Sequence, residues 1–196
     1  NVFRSDPVLD SNEKGNFFYL SLRESFYDDI WRSTSGGSSW TRLTFGDVTG
    51  GDKQWLTIDT TNGTGHDFLY QAWSTGGNNF GGRQFSLSTD AGATWISPIF
   101  IPNWPVWGTL DVASDGNLFI GGAANFSSPF WCIRSTNAQN PAVTPTFDQS
   151  TQVNLGGSLV FGGGINPGGL AGQCFLAVDR SGGPTNNNIY MVASAE

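Results

Sequence analysis

A chain of 196 residues is long enough to bury an ordinary core, and its formal net charge of −7 argues against a nucleic-acid groove or an anionic membrane surface as main partner, since both need clustered Lys and Arg. Aromatic residues make up 14% of the chain and Gly occupies 27 positions, while only 13% of residues are charged and Met appears once, a balance that favours strands and turns over helices. No apolar run reaches the roughly 18 residues that spanning a bilayer requires, and NVFRSDPVLD lacks the basic and apolar regions of a signal peptide.

In chain order, PVLDSNEKGNFFYLSL from residue 7 reads as an apolar strand closed by Asp10, a polar turn containing Gly, and an aromatic-rich second strand. DIWRS at 29–33 reads as a third strand that runs into the octapeptide STSGGSSW at 33–40. The same order follows in WLTIDTTNGTGHDFLYQAW from 55, RQFSLS at 83–88 and STDAGATW at 88–95. It follows again in GTLDVASDGNLFIGG from 108, WCIRS at 131–135 and a decayed octapeptide opening STNAQN at 135–140. CFLAVDRSGGPTNNNIYMVAS from 174 begins a fourth copy. Asp10, Asp59, Asp111 and Asp179 fall 49, 52 and 68 residues apart and read as equivalent positions of one repeat, the last interval lengthened by NLGGSLVFGGGINPGGLAG.

Ser and Asp side chains accept hydrogen bonds from nearby backbone N–H groups, Gly supplies the left-handed conformation of a tight turn, and Trp tucks its ring against the sheet. The octapeptide is therefore expected to lock a hairpin, with Trp40 and Trp95 starting fourth strands. Repeats of about four short strands suit propeller blades, each a small antiparallel sheet that buries its faces only against its neighbours. The expected fold is all-β, a single partial propeller of four-stranded antiparallel blades. About three and a half blades are present: blade 1 about 1–47, blade 2 about 48–102, blade 3 about 103–153 and the start of blade 4 about 154–196. Remaining blades of a larger chain, or a partner segment, are expected to close the ring, because open ends would expose apolar blade faces.

STDAGATW resembles the Asp-box, or bacterial neuraminidase repeat, of sialidase-like propellers, matching S-x-D-x-G-x-x-W at Ser88, Asp90, Gly92 and Trp95. The copy from Ser33 keeps Gly37 and Trp40 but has Ser35 where the motif has Asp, and the copy from Ser135 has Asn137 there. This resemblance implies the propeller and leaves the activity open. The family's enzymes grip a substrate carboxylate with arginines, the first in an F-R-I-P motif, and use an Asp as acid/base. Phe3-Arg4-Ser5-Asp6-Pro7 is similar to that motif with two residues in place of Ile, and Arg23 and the pair Asp28-Asp29 follow in the family's order. The resemblance thus implies Arg4 and Arg23 as carboxylate ligands and Asp29 as acid/base. The competing reading makes the pair a polar hairpin tip and Arg23 a strand-end residue.

Six residues before each repeat Asp stand Arg4, Lys53, Pro105 and Gln173, so Arg4 and Lys53 are expected near one mouth of the central channel. NWPVW at 103–107 places Trp104 and Trp107 in a Pro-stiffened loop, a stacking platform for a sugar ring or packing between blades. Cys132 and Cys174 form either one disulfide or two buried thiols. With one His and two Cys, no structural metal and no cofactor are expected, and Asp6, Asp47 and Asp52 match no calcium-loop spacing. GGGINPGG at 162–169 lacks the Lys-Ser/Thr ending of a phosphate loop, and Asn62-Gly-Thr64 and Asn125-Phe-Ser127 fit glycosylation acceptors. The first functional expectation is an extracellular glycan-recognition or surface-interaction scaffold. The second is a sialidase-like glycoside hydrolase, and the third a non-catalytic protein-binding propeller.

Overall fold

The computed structural model describes residues 3–43, 48–124, 127–160 and 173–196; Asp47, Asn125 and the run 162–169 lie outside them. The protein is all-β. Sheet 1 joins β1 (Arg4–Ser11), β2 (Phe17–Arg23), β3 (Tyr27–Ser33) and β4 (Thr41–Arg42) in that order. Sheet 2 joins β5 (Trp55–Ile58), β6 (Leu69–Ala72) and β7 (Phe85–Ser88). Sheet 3 holds β8 (Leu110–Val112), β9 (Leu118–Ala123), β10 (Phe130–Ser135) and β11 (Gln149–Val153), and sheet 4 holds β12 (Phe175–Val178) and β13 (Ile189–Val192). Every pairing is antiparallel between consecutive strands. A short 3-10 turn lies at Glu24–Phe26, and no helix among the described residues is long and apolar enough to cross a membrane.

Successive side chains point to opposite faces of a sheet, and the apolar faces meet in chain order. Val8, Phe18, Leu20 and Ile30 of sheet 1 pack on Leu56, Ile58 and Leu69 of sheet 2. Tyr70, Phe85 and Leu87 of sheet 2 pack on Leu110, Leu118, Ile120 and Ile133 of sheet 3. Phe119 of sheet 3 packs on Leu176 and Val178 of sheet 4. The first strands β1, β5, β8 and β12 lie beside one another in the same sequence. Apolar side chains are exposed at both ends of this stack: Leu9 and Trp40 at sheet 1, and Tyr190 and Val192 at sheet 4.

Both complete octapeptides close by the same set of bonds. Ser88 Oγ accepts from the Gly92 N–H at 2.8 Å and donates to Asp90 Oδ1 at 2.8 Å; Asp90 accepts from the Thr94 N–H at 2.8 Å, and Trp95 Nε1 donates to the Gly92 carbonyl at 3.2 Å. Ser33 Oγ likewise accepts from the Gly37 N–H at 2.9 Å, Ser35 takes the place of Asp by accepting from the Ser39 N–H at 2.9 Å, and Trp40 Nε1 donates to the Gly37 carbonyl at 3.0 Å. Gly37 and Gly92 sit at φ +86° and +87°, where a Cβ is strained. Burial raises the Asp90 carboxyl, but the bonds from Thr94 and Ser88 outweigh it and hold the group below the usual carboxylate range. The decayed copy keeps part of the lock: Ser135 Oγ accepts from the Ala138 N–H at 3.1 Å and Asn137 from the Thr146 N–H at 2.8 Å.

Two expectations need correction. Trp95 starts no fourth strand in sheet 2. The Ile96 and Ile99 N–H groups bond to Leu87 and Phe85 of β7, but Pro98 between them has no N–H and the ladder shrinks to an isolated bridge at Ile99. The four repeat Asp residues are also of two kinds. Asp10 and Asp111 reach across to the next sheet, accepting from the Ile58 N–H at 3.0 Å and the Val178 N–H at 2.8 Å. Asp59 and Asp179 instead fold over their own longer turns, accepting from the Thr61 and Ser181 N–H groups at 2.8 and 2.7 Å. Turn length separates them: the longer loop returns over the Asp, whose Oδ1 is used locally.

Candidate functional site

Asp28 and Asp29 lie inside β3 rather than at a hairpin tip, so the pleat sends their side chains to opposite faces. Asp29 is fully buried against the outer face of sheet 1. Its Oδ2 accepts from Arg4 Nη2 at 2.7 Å and its Oδ1 from Arg42 Nη2 at 2.6 Å, with Arg23 Nε 3.5 Å from Oδ1. β1, β2 and β4 each contribute one guanidinium, because the register sets Arg4 opposite Arg23 and Arg42 opposite Trp31, across the sheet from the Asp29 position. The Arg23 guanidinium also lies 5.4 Å from the centre of the Tyr27 ring. The three residues expected to act on a substrate are thus brought together, but as a cluster in which the Asp29 carboxylate occupies the arginines. While these bonds stand, both its oxygens are engaged as acceptors of arginine N–H groups.

Asp28 points the other way, into the layer between sheets 1 and 2. Its N–H donates to the Thr49 carbonyl at 3.1 Å, and its carboxyl accepts from Gln71 Nε2 on β6. Burial, then the nearby carboxylates of Asp29 and Asp6, push its pKa well above the usual carboxylate range. Asp28 Oδ1 and Gln71 Oε1 are both buried without a hydrogen-bond partner, an arrangement that a proton on Asp28 suits better than a bare charge.

Lys53 sits at the mouth between the first strands, apart from the arginines. Its Nζ lies 3.0 Å from Asp6 and 2.9 Å from Asp52, so an ammonium holds together two of the acids considered for calcium. Although burial opposes the charge, those two carboxylates outweigh it and raise the Lys53 pKa. Lys53 and Gln173 line one hollow of about 200 Å³ with Asp6, Gln54 and Trp55. Arg4 does not share that mouth, since its side chain turns to Asp29, and Pro105 instead offers its carbonyl to Gln84 Nε2 at 2.6 Å.

The NWPVW loop splits its two tryptophans. Trp107 is buried with Val106, Ala123 and Phe130 and offers no face to a ring, whereas Trp104 is 56% exposed. Its companion is Phe100, 52% exposed, rather than Trp107. Both line a groove of about 610 Å³ with Pro102, Asn103, Thr146 and Phe147, and the Arg83 guanidinium lies 5.4 Å from the Phe100 ring centre. Cys132 and Cys174 are free thiols; burial pushes them up to about 11 and about 12, the second also raised by its neighbour.

Arg42, Gln71 and Phe100 were not singled out by sequence. Gln71 carried one signal, a lone amide inside the apolar strand LYQA, which needs a buried partner. Arg42 and Phe100 carried none, because only the register and the loop path bring them to their neighbours.

No protein family matches the sequence, and no curated protein matches it. A solved structure of similar fold, described as an unknown function protein from Dyadobacter fermentans DSM 18053, superposes with a TM-score of 0.53 at 11% identity. The superposition covers 90% of this chain and 59% of that one, so the chain spans somewhat over half of its neighbour's length. At that identity the likeness concerns the fold alone.

Proposed function

We propose that the chain is a segment of an Asp-box propeller that serves outside the cell as a glycan-recognition or surface-interaction scaffold. The stacking of four small sheets in chain order, with their first strands side by side, supports the propeller. The exposed apolar side chains at sheets 1 and 4 are where further blades or a partner segment would pack. The observation that carries the binding role is the exposed Phe100–Trp104 groove: two aromatic faces for the apolar side of a sugar ring, with Asn103 and Thr146 on its walls for hydroxyl groups. Glycan-array binding with tryptophan fluorescence tests it. Binding that W104A removes, without turnover, is the expected result, and array binding that survives W104A, or no binding to any glycan, overturns it.

The convergence of Arg4, Arg23 and Arg42 supports a sialidase-like hydrolase as second reading. In that reading a substrate carboxylate displaces Asp29, which is freed to act as acid/base. Hydrolysis of a chromogenic sialoside, abolished in R4A, is its test; the first reading expects none. A protein-binding propeller would show neither sugar binding nor turnover.

A further inference from the structure

The turns that follow β1 and β5 meet at one end of sheets 1 and 2 and bring together Glu13, His66 and Asp67. His66 Nδ1 lies 2.6 Å from the Thr61 carbonyl oxygen. A carbonyl only accepts, so Nδ1 carries a ring proton, and with no second proton on the ring Nε2 presents a lone pair. That lone pair faces Glu13 Oε1 at 2.9 Å and Asp67 Oδ2 at 3.7 Å. Acceptors so close repel one another unless a cation or a second ring proton lies between them.

The geometry favours a cation. The three ligand atoms all lie within 4.8 Å of one another. Tetrahedral zinc, with bonds of about 2.0–2.1 Å, spaces its ligand atoms about 3.3 Å apart. The distances of 2.9 and 3.7 Å bracket that spacing. A ring N–H given to a backbone carbonyl is also the bond that commonly orients a metal-binding histidine. Asp67 is fixed in turn: its backbone sits at φ +67°, its N–H donates to the Asp59 carbonyl at 2.8 Å, and Asn12 Nδ2 donates to its Oδ1 at 2.7 Å. Lys14 Nζ also bonds Asp67 Oδ2 and competes for the place, but that side chain is exposed and swings away at little cost.

We infer that Glu13, His66 and Asp67 form a site for a divalent transition-metal ion, zinc by its donor set of one imidazole and two carboxylates. The ion clamps the turn of sheet 1 to the turn of sheet 2, with water completing its coordination. The test is calorimetric titration of the protein with zinc chloride. One saturable equivalent is expected, with affinity reduced at least about tenfold in H66A and in E13Q and increased in K14A, which removes the competing ammonium. Zinc should raise the melting temperature of the native protein and not that of H66A, and cobalt should give visible absorption bands that H66A lacks. Far-UV circular dichroism establishes that each variant is folded, and E13Q carries the test if H66A is not. Absence of saturable binding, binding unchanged in both ligand variants, or weaker binding in K14A would overturn the site; the first of these would leave a doubly protonated His66 bonded to Glu13.

Discussion

Asp28→Asn is expected to stabilise the protein near neutral pH. Burial, with Asp29 and Asp6 close by, makes the folded state hold the Asp28 proton to higher pH than the unfolded chain does. Above the ordinary carboxyl range the unfolded chain has released this proton, while the folded state must either retain it or bury a charge. The native state therefore binds more protons in that window, and this group's contribution to stability falls as pH rises from the unfolded titration point through the folded one. Below the ordinary range the group is protonated in both states and the penalty vanishes. Asn keeps the shape and an acceptor for Gln71 Nε2, and its amide can donate toward Gln71 Oε1, which together with Asp28 Oδ1 is buried and unpaired. Relieving such a group is worth about 1–3 kcal/mol, and for a chain of this size each kcal/mol moves the melting temperature by about 2–4 °C. Melting curves of both proteins from pH 4 to pH 8 make the measurement. Asp67, Asp90, Asp148 and Asp179 are all lowered and lose their contribution as pH falls, so the difference between the two proteins isolates Asp28. A D28N protein that melts lower than wild type at pH 7.5, or a difference that does not grow with pH, refutes the reasoning.

Asp29→Ala removes the carboxylate shared by three guanidiniums and is expected to cost about 2 kcal/mol or more, the partial exposure of the arginines keeping it below a fully buried pair; urea unfolding measures it. Gly65→Ala puts a Cβ 2.6 Å from Asp59 Oδ2 and 2.9 Å from both Gln139 Cβ and Tyr70 Oη, so a loss of about 1–3 kcal/mol is expected by the same method. Both thiols should react slowly with a disulfide reagent at pH 8 in the native protein and fast in denaturant, because Cys132 and Cys174 hold their protons up to about 11 and about 12; fast native modification of Cys174 would contradict its burial.

The strands and the octapeptide turns were legible in the sequence because their causes are local. Alternation has a period of two, and the bonds of the lock from Ser88 to Trp95 all close within a few residues, so a short window holds the whole motif. Even there, Pro98 kept the segment after Trp95 from pairing as a fourth strand of sheet 2. The splitting of the repeat Asp residues was not legible, since spacing alone does not say whether a carboxylate will cap its own turn or the next strand. The arginines were partly legible: the resemblance put Arg4, Arg23 and Asp29 together, but not that Asp29 would occupy the guanidiniums, nor that Arg42 would join them.

What the sequence by itself determined is an all-β chain with four hairpins and two well-formed turn locks. The tertiary structure alone decided which side of a sheet each side chain faces and what stands opposite: Asp29 among arginines, Asp28 against an amide, Trp104 in solvent and Trp107 in the core. Such partners are separated by many residues along the chain and are joined by strand register and by sheet packing on sheet. A hydrogen bond within a turn is specified by its own residues, whereas a contact across layers depends on every strand that sets the position of its two ends.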